Sequence, residues 1–474
     1  MNASSRTSAA IGRPAGRLVV PAPDGGLTTA VVGVGALLLV LGVAAFLANP
    51  RFGVAALGLP ALPLLVMYPA HALLLFVGAM PFDAVAALLP DRTLSLTRIL
   101  GIAVIGGWGV WVMVNRVRVR LTTPGLLLAG YVALAGASYY WTEYPETTWF
   151  QLQRLVQFFL LYVLTANLMS NLPSLERTLN VFIAATAILG VLVLWQLPHG
   201  GEALERATFT YGDQSFNPNY LAAALVLPAV AAAALGPTGG SFGWWRIAVI
   251  VPIGAGLIAA GSRGGIVGFV AGIGMLLLAR PRVGVRAMGV LLILAMLAPL
   301  LMPTQMIDNV ITRFSGAGAD RLAHRLDIWK VAMAVISDHP FLGTGYAAFK
   351  DVFYSYMATA GIDPVWALKN YRGGRVAHNV YLSTFADLGI VGIGLLLSAF
   401  AAHGLGALRV WRRYRFYGDP RVAALALALC CMMISFLVFA NTIEFLWRKT
   451  PWILLGMIQG LILATEPDHG AVRR

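Results

Sequence analysis

The residue best suited to proton transfer is a single histidine. In Val376-Ala-His-Asn-Val-Tyr-Leu382, His378 opens an apolar run, and a neutral imidazole at a membrane–water boundary accepts a proton from an alcohol near pH 7. Taken alone, the same residue also fits a helix cap. Arg263 lies in Gly261-Ser-Arg-Gly-Gly265 between two apolar runs, where a cation is costly and marks a ligand or pathway unless it snorkels from a helix end. Its flanking glycines would let backbone N–H groups approach an anion. Arg206, in Arg206-Ala-Thr-Phe-Thr-Tyr211, and Arg325, on a segment with a basic and an apolar face, are further cations that suit a phosphate or a solvated surface alike. Arg372 and Arg375 flank a Gly-Gly pair, and Arg154 follows the aromatic stretch Tyr139-Tyr-Trp-Thr-Glu-Tyr144. Aromatic and arginine side chains together suit a sugar face and a phosphate respectively. Asp387 is nine residues after His378, half a helical turn out of phase, so on one straight helix it cannot orient the imidazole.

The elements that must hold these groups are membrane spans. The 474 residues are 59% hydrophobic and 11% charged, about half the charge of an ordinary soluble domain, which excludes disorder and argues against a soluble protein. A span needs about 20 apolar residues. Fourteen candidates are read at 27–47, 53–68, 70–89, 98–114, 125–140, 150–170, 178–197, 218–236, 246–261, 264–279, 287–302, 379–404, 422–440 and 450–465. Pro60, Pro63 and Pro69 interrupt the second and third, so 12–14 spans are expected. The first run is read as an anchor, not a cleaved signal. Segment 303–377 is the one soluble stretch long enough to fold over the membrane, with helical character around Arg325 and a Pro- and Gly-punctuated break at Asp338–Gly345.

The net charge of +14 is chiefly an orientation signal. With the N-terminus inside, segments 1–26, 115–124, 171–177, 237–246, 280–286, 405–421 and 466–474 carry 18 of the 34 Lys+Arg and 5 of the 20 Asp+Glu. Almost all the excess therefore falls on one side, as the positive-inside rule requires, and nucleic acid is set aside as a partner. The two cysteines, Cys430 and Cys431, sit in an apolar run and allow neither a disulfide framework nor a thiolate cluster.

Five pieces in order make the chain recognisable: Arg206-Ala-Thr-Phe with Asn217-Pro-Asn219; Gly261-Ser-Arg-Gly-Gly265; Arg325-Leu-Asp-Ile-Trp329; His339-Pro-Phe-Leu-Gly-Thr-Gly345; and His378-Asn-Val-Tyr-Leu382 with Asp387-Leu-Gly-Ile-Val-Gly392. Over about 205–395 the sequence resembles the bacterial O-antigen ligases, O-antigen polymerases and related membrane oligosaccharyltransferases. The resemblance implies an all-α polytopic fold with a large helical periplasmic loop, like the GT-C glycosyltransferases. It implies transfer of a glycan from polyprenyl (undecaprenyl) diphosphate to an acceptor hydroxyl: lipid A-core in a ligase, another lipid-linked glycan in a polymerase, Ser or Thr in protein glycosylation. His378 would be the general base, and Arg206, Arg263 and Arg325 would hold the diphosphate, with inversion and no metal or other cofactor. Arg154, Arg372, Arg375, Asn219, Asn379 and Tyr381 complete the set as candidate substrate contacts.

The expected organisation is a cytoplasmic tail (1–26), N-terminal spans (27–200), core spans (201–302), a periplasmic loop (303–377), C-terminal spans (378–465) and a second cytoplasmic tail (466–474), in a bacterial inner membrane. A ligase is favoured over a polymerase on the arginine-rich outer loop. Secondary transport is the alternative of a different class, weakened because no repeat relates the two halves and 303–377 is one-sided. A scaffold protein would give no reason for Arg263 or His378.

Overall fold

The computed structural model describes residues 66–83, 96–196, 210–211, 214–215, 217–236, 244–301, 308, 311–312, 319–363 and 375–466. They lie within one compact unit beginning at Pro63; a second unit, Met1–Leu62, is outside the described residues. So are the first predicted span, nearly all of the second, and both predicted tails apart from Glu466.

The fold is helical. In chain order the helices are α1 (Pro69–Ala79), α2 (Leu96–Val114), α3 (Thr123–Ala137), α4 (Pro145–Leu168), α5 (Leu172–Gln196), α6 (Pro218–Leu235), α7 (Trp244–Ala248), α8 (Ile250–Ala259), α9 (Arg263–Ala279), α10 (Pro281–Leu301), α11 (Ala319–Asp338), α12 (Phe349–Val352), α13 (Val380–Tyr417), α14 (Pro420–Phe439) and α15 (Lys449–Thr465). A two-residue antiparallel pair, Thr210–Tyr211 with Gln214–Ser215, precedes α6. Helix starts follow local chemistry. Asn217, Ser262, Asn379 and Asp419 each accept a backbone N–H from the first turn that follows, as capping residues do, and proline occupies the first turn of α1, α3, α4, α6 and α14.

Among the described residues, five helices, beginning at Thr97, Leu172, Pro218, Val380 and Pro420, are long and apolar enough to cross a membrane, and the protein is a membrane protein. Of the other predicted spans among the described residues, 150–170 and 287–302 are long helices, α4 and α10, that fall outside these five, and the rest are shorter or broken. Within 70–89 the described part is α1 and a single 3₁₀ turn, and 246–261 splits at Val249 into α7 and α8. The span predicted at 379–404 runs on to Tyr417, but it is interrupted at Gly389, whose φ of 63° and ψ of −164° are not helical.

Helices α6 and α14 are the centre: 78% and 83% of their apolar windows are buried, against 22% for α2. Small residues let the helices close on one another. Gly268 and Gly272 of α9 lie against Phe439, Val230 and the Cys431 carbonyl, and Gly456 and Gly460 of α15 against Thr165 and Met169. Cys430 and Cys431 are free and buried there.

A second, smaller core caps one end. Ile328, Val331, Val335 and Ile336 of α11 pack with Phe349, Val352, Phe353, Met357 and Ala377 and with Ala386 of α13. The cap is fastened by backbone. Residues 340–345 thread into the break of α13: Ile390 N donates to Pro340 O (2.8 Å), Thr344 N to Ala386 O (3.1 Å) and Gly345 N to Asp387 O (2.8 Å). The Asp387 carboxylate accepts from Phe349 N at 2.9 Å. This carboxylate therefore holds the cap, in keeping with its exclusion as the partner of His378.

Candidate functional site

His378 stands where the cap meets the spans, immediately before the Asn379 cap of α13. Its φ of 51° is left-handed, uncommon outside glycine though less so for histidine. Neighbours on three sides fix that turn. Trp329 Nε1 of α11 donates to Ala377 O at 3.0 Å. Val380 N donates to Ala440 O at 2.9 Å. Glu444, buried in the α14–α15 loop, accepts from Ser383 Oγ at 2.6 Å and from Asn379 N at 3.4 Å. Burial raises the Glu444 pKa, and its bonds from Ser383 and the backbone of Asn379 and His378 oppose the rise.

Two arginines act on the imidazole. Burial, then Arg325 and then Arg375, hold His378 down to about 4, so it is neutral at pH 7 and able to accept a proton. Arg325 is itself half-buried in α11, its pKa lowered by burial and next by Arg263. The structure thus brings together Arg263, Arg325, Arg375 and His378 from three segments far apart in sequence. Arg206 and Arg372 lie outside the described residues.

The break at Arg263 works differently from expectation. A Cβ on Gly264 would meet Thr442, and one on Gly265 would meet Ala222 at 2.8 Å. The glycines therefore admit neighbouring chain and do not open the backbone to an anion, and the Gly265 N–H is taken by Ser262 Oγ at 3.4 Å. Ser262 Oγ also donates to Asn219 Oδ1 at 3.1 Å, tying α9 to α6. Asn379 Oδ1 accepts from Tyr381 N and Leu382 N, and Tyr381 OH donates to Leu437 O at 2.8 Å. Asn219, Asn379 and Tyr381, expected as substrate contacts, each also make a bond that holds a helix.

Arg154 is exposed on α4, 4.7 Å from the centre of the Phe150 ring. It shares its electrostatic surroundings with Arg98 and Arg448 and with none of the residues acting on His378. Arg448, Arg98 and Glu444 belong to none of the motifs read from the sequence. The signal for two of them was a charged segment, Glu444-Phe-Leu-Trp-Arg-Lys449, between two apolar runs; for Arg98 there was none. At the other end of the helices, Arg120 pairs with Glu466 (2.7 Å) and Arg246 with Glu176 (2.8 Å), so segments assigned to one side by charge do come together.

The role of Glu444 is testable. Glu444→Ala leaves Ser383 and the turn before α13 without their buried acceptor, a loss of about 1–3 kcal/mol. We expect a fall in turnover with little change in donor KM, and Glu444→Gln, which keeps an acceptor oxygen, should restore most of it.

Residues 248–397 match the family model described as O-antigen ligase, a stretch that contains Arg263, Arg325, Arg375 and His378 but neither Glu444 nor Arg448. No curated protein matches the chain. A solved structure of a peptidoglycan synthase complex that coordinates polymerization and crosslinking aligns with 72% of this chain and 95% of its own, at 19% identity and a TM-score of 0.37.

Proposed function

We propose that this membrane protein, whose residues 248–397 match the O-antigen ligase family model, is a glycosyltransferase that moves a glycan from a polyprenyl diphosphate to an acceptor hydroxyl, most simply as an O-antigen ligase working on lipid A-core. The observation that carries the reading is a half-buried, neutral histidine beside Arg325 and Arg375, with Arg263 next in line.

The donor is already activated, so two tasks remain for the protein. His378 takes the proton of the acceptor hydroxyl as the oxygen attacks the anomeric carbon. The new C–O bond forms as the bond from that carbon to the diphosphate oxygen breaks, on the opposite face and with inversion. Negative charge grows on the departing diphosphate, where Arg263 and Arg325, with Arg206 from outside the described residues, offset it. Arg263 is the like charge acting on Arg325, so an anion bound there would relieve the Arg325 guanidinium. In this reading the site is periplasmic, both termini are cytoplasmic, and the cap over α13 screens the reacting groups from bulk water.

Reconstituted protein given a polyprenyl-diphosphate-linked glycan and lipid A-core should release the lipid diphosphate and extend the core. Absence of transfer in active-orientation liposomes overturns the reading. In cells, loss of a ligase leaves long polymers on the carrier lipid, whereas loss of a polymerase leaves single repeats.

The pH profile is a second test. The imidazole must be neutral to act, and in the free protein it is held at about 4. Values of kcat/KM should stay level from pH 7 to 5 and fall roughly tenfold per pH unit below the His378 pKa. Arg325→Gln removes one of the charges that depress it, so the acid limb should move to higher pH. The move is partial, since burial is the larger cause. The same variant should lose about 10²–10³-fold in kcat through the leaving group.

A further inference from the structure

Arg154 and Arg448 are arginines without a protein acceptor: among the described residues no side-chain or carbonyl oxygen accepts from either guanidinium. Arg120 and Arg246, at the other end of the helices, each have a carboxylate below 3 Å. Arg98 and Lys449 join them. Arg98 and Arg448 are the like charges acting on Arg154 and also appear among those acting on Lys449. Asp83 is the carboxylate of this group, and it is already engaged by Lys449 Nζ at 2.8 Å and by Thr97 Oγ1. Asp83 is thereby occupied, and Arg154 and Arg448 have no oxygen acceptor among the described residues. Aromatic rings lie against both of them: the Arg448 guanidinium carbon is 3.6 Å from the centre of Tyr220 and that of Arg154 is 4.7 Å from the centre of Phe150. A ring contact of this kind leaves the N–H groups of a guanidinium for an oxygen acceptor, and its fork suits a phosphoryl group.

We propose that Arg154 and Arg448 form a second anion subsite that takes a phosphoryl group carried by the glycolipid acceptor, separate from the cations that meet the donor. The proposal rests on the transferase reading above. Two observations place it on the acceptor side. None of these arginines is among the charges acting on His378 or Arg325, the groups set around the reacting centre. Yet one loop joins both: its first part, Ala440 and Glu444, holds the turn at His378–Ser383, and its last residues, Arg448 and Lys449, belong to the second group. A molecule whose hydroxyl lies at His378 can rest a nearby phosphate on the far end of that loop.

The experiment compares a phosphorylated glycolipid acceptor with its phosphatase-treated form, using full-length protein in phosphatidylcholine liposomes. Wild-type protein should show an acceptor KM at least about tenfold higher for the dephosphorylated form. The Arg154→Gln/Arg448→Gln double variant should raise KM for the phosphorylated acceptor to that level, with donor KM and KM for the dephosphorylated acceptor unchanged. The proposal is overturned if donor KM rises instead, if both acceptors are affected equally, or if the defect appears only when phosphatidylglycerol is present, which assigns the site to bulk lipid headgroups. The wild-type comparison stands even if the double variant fails to fold. A wild type with no transfer to either acceptor would refute the transferase reading itself.

Discussion

His378→Gln should lower turnover by about 10²–10⁴-fold, the range of a positioned general base, while the protein remains folded and binds donor at nearly the wild-type affinity. The fold survives because the side chain of His378 is not what holds its own turn. Trp329, Ala440 and Glu444 hold the backbone on either side of it. Glutamine keeps the approximate length and polarity but has no basic nitrogen, so an acceptor can still hydrogen-bond without being deprotonated. The loss should therefore fall on kcat and kcat/KM together, the signature of an interaction made in the transition state. It should also remove the acid limb set by His378. A variant with near-normal turnover ends the general-base assignment, and a variant with normal turnover but raised KM makes His378 a binding group.

The arginines would not rescue such a variant. Arg325 and Arg375 depress the pKa of His378, which costs basicity but keeps the imidazole neutral in a place where an anionic donor must also bind. Once the diphosphate arrives, its charge offsets theirs and raises the basicity of the imidazole toward the ordinary histidine value, when the acceptor is in place. Donor binding and activation of the base are thereby coupled through the same two guanidinium groups.

Much of this arrangement is legible from the chain. Apolar run lengths place most helices within a few residues, since Asn217-Pro, Asp419-Pro and Asn379 write their starts in local chemistry. Arg263, Arg325 and His378 are visible as costly or titratable groups beside apolar runs. What is not legible depends on contacts between distant residues. Glu444 meets Asn379 and Ser383 across more than sixty residues, and nothing in its own segment names those partners. Asn379 and Tyr381 sit in a motif that reads as substrate-binding, but their polar atoms are used at short range by α13 and by Leu437. The break in α13 is hidden for another reason: Gly389 follows Asp387 and Leu388 in a pattern that continues as helix, and only the approach of 340–345 requires it to stop.

That approach sets the second large effect, on folding. Gly389→Ala and Gly343→Ala should each destabilise the protein by about 3–5 kcal/mol, combining backbone strain of about 1–3 kcal/mol with a steric clash of similar size. Gly389 adopts φ 63° and ψ −164° and Gly343 adopts φ 67°. A methyl group on Gly389 would run into the backbone of Phe341, and one on Gly343 into the backbone of Asp387. Neither obstacle is a side chain that can swing away. Both glycines admit the same crossing of two chains, sealed by the bonds from Ile390, Thr344 and Gly345. Once one substitution forces the strands apart, the second finds its clash already relieved, so the double variant should fall well short of the sum of the two. Thermal unfolding in detergent measures this directly. His378→Gln should melt with the wild type, whereas both glycine variants should melt lower and lose transfer in proportion to folded protein. Additive shifts would mean that the cap and α13 are held independently at the two glycines, and an unshifted Gly389→Ala would mean that α13 is continuous through residue 389.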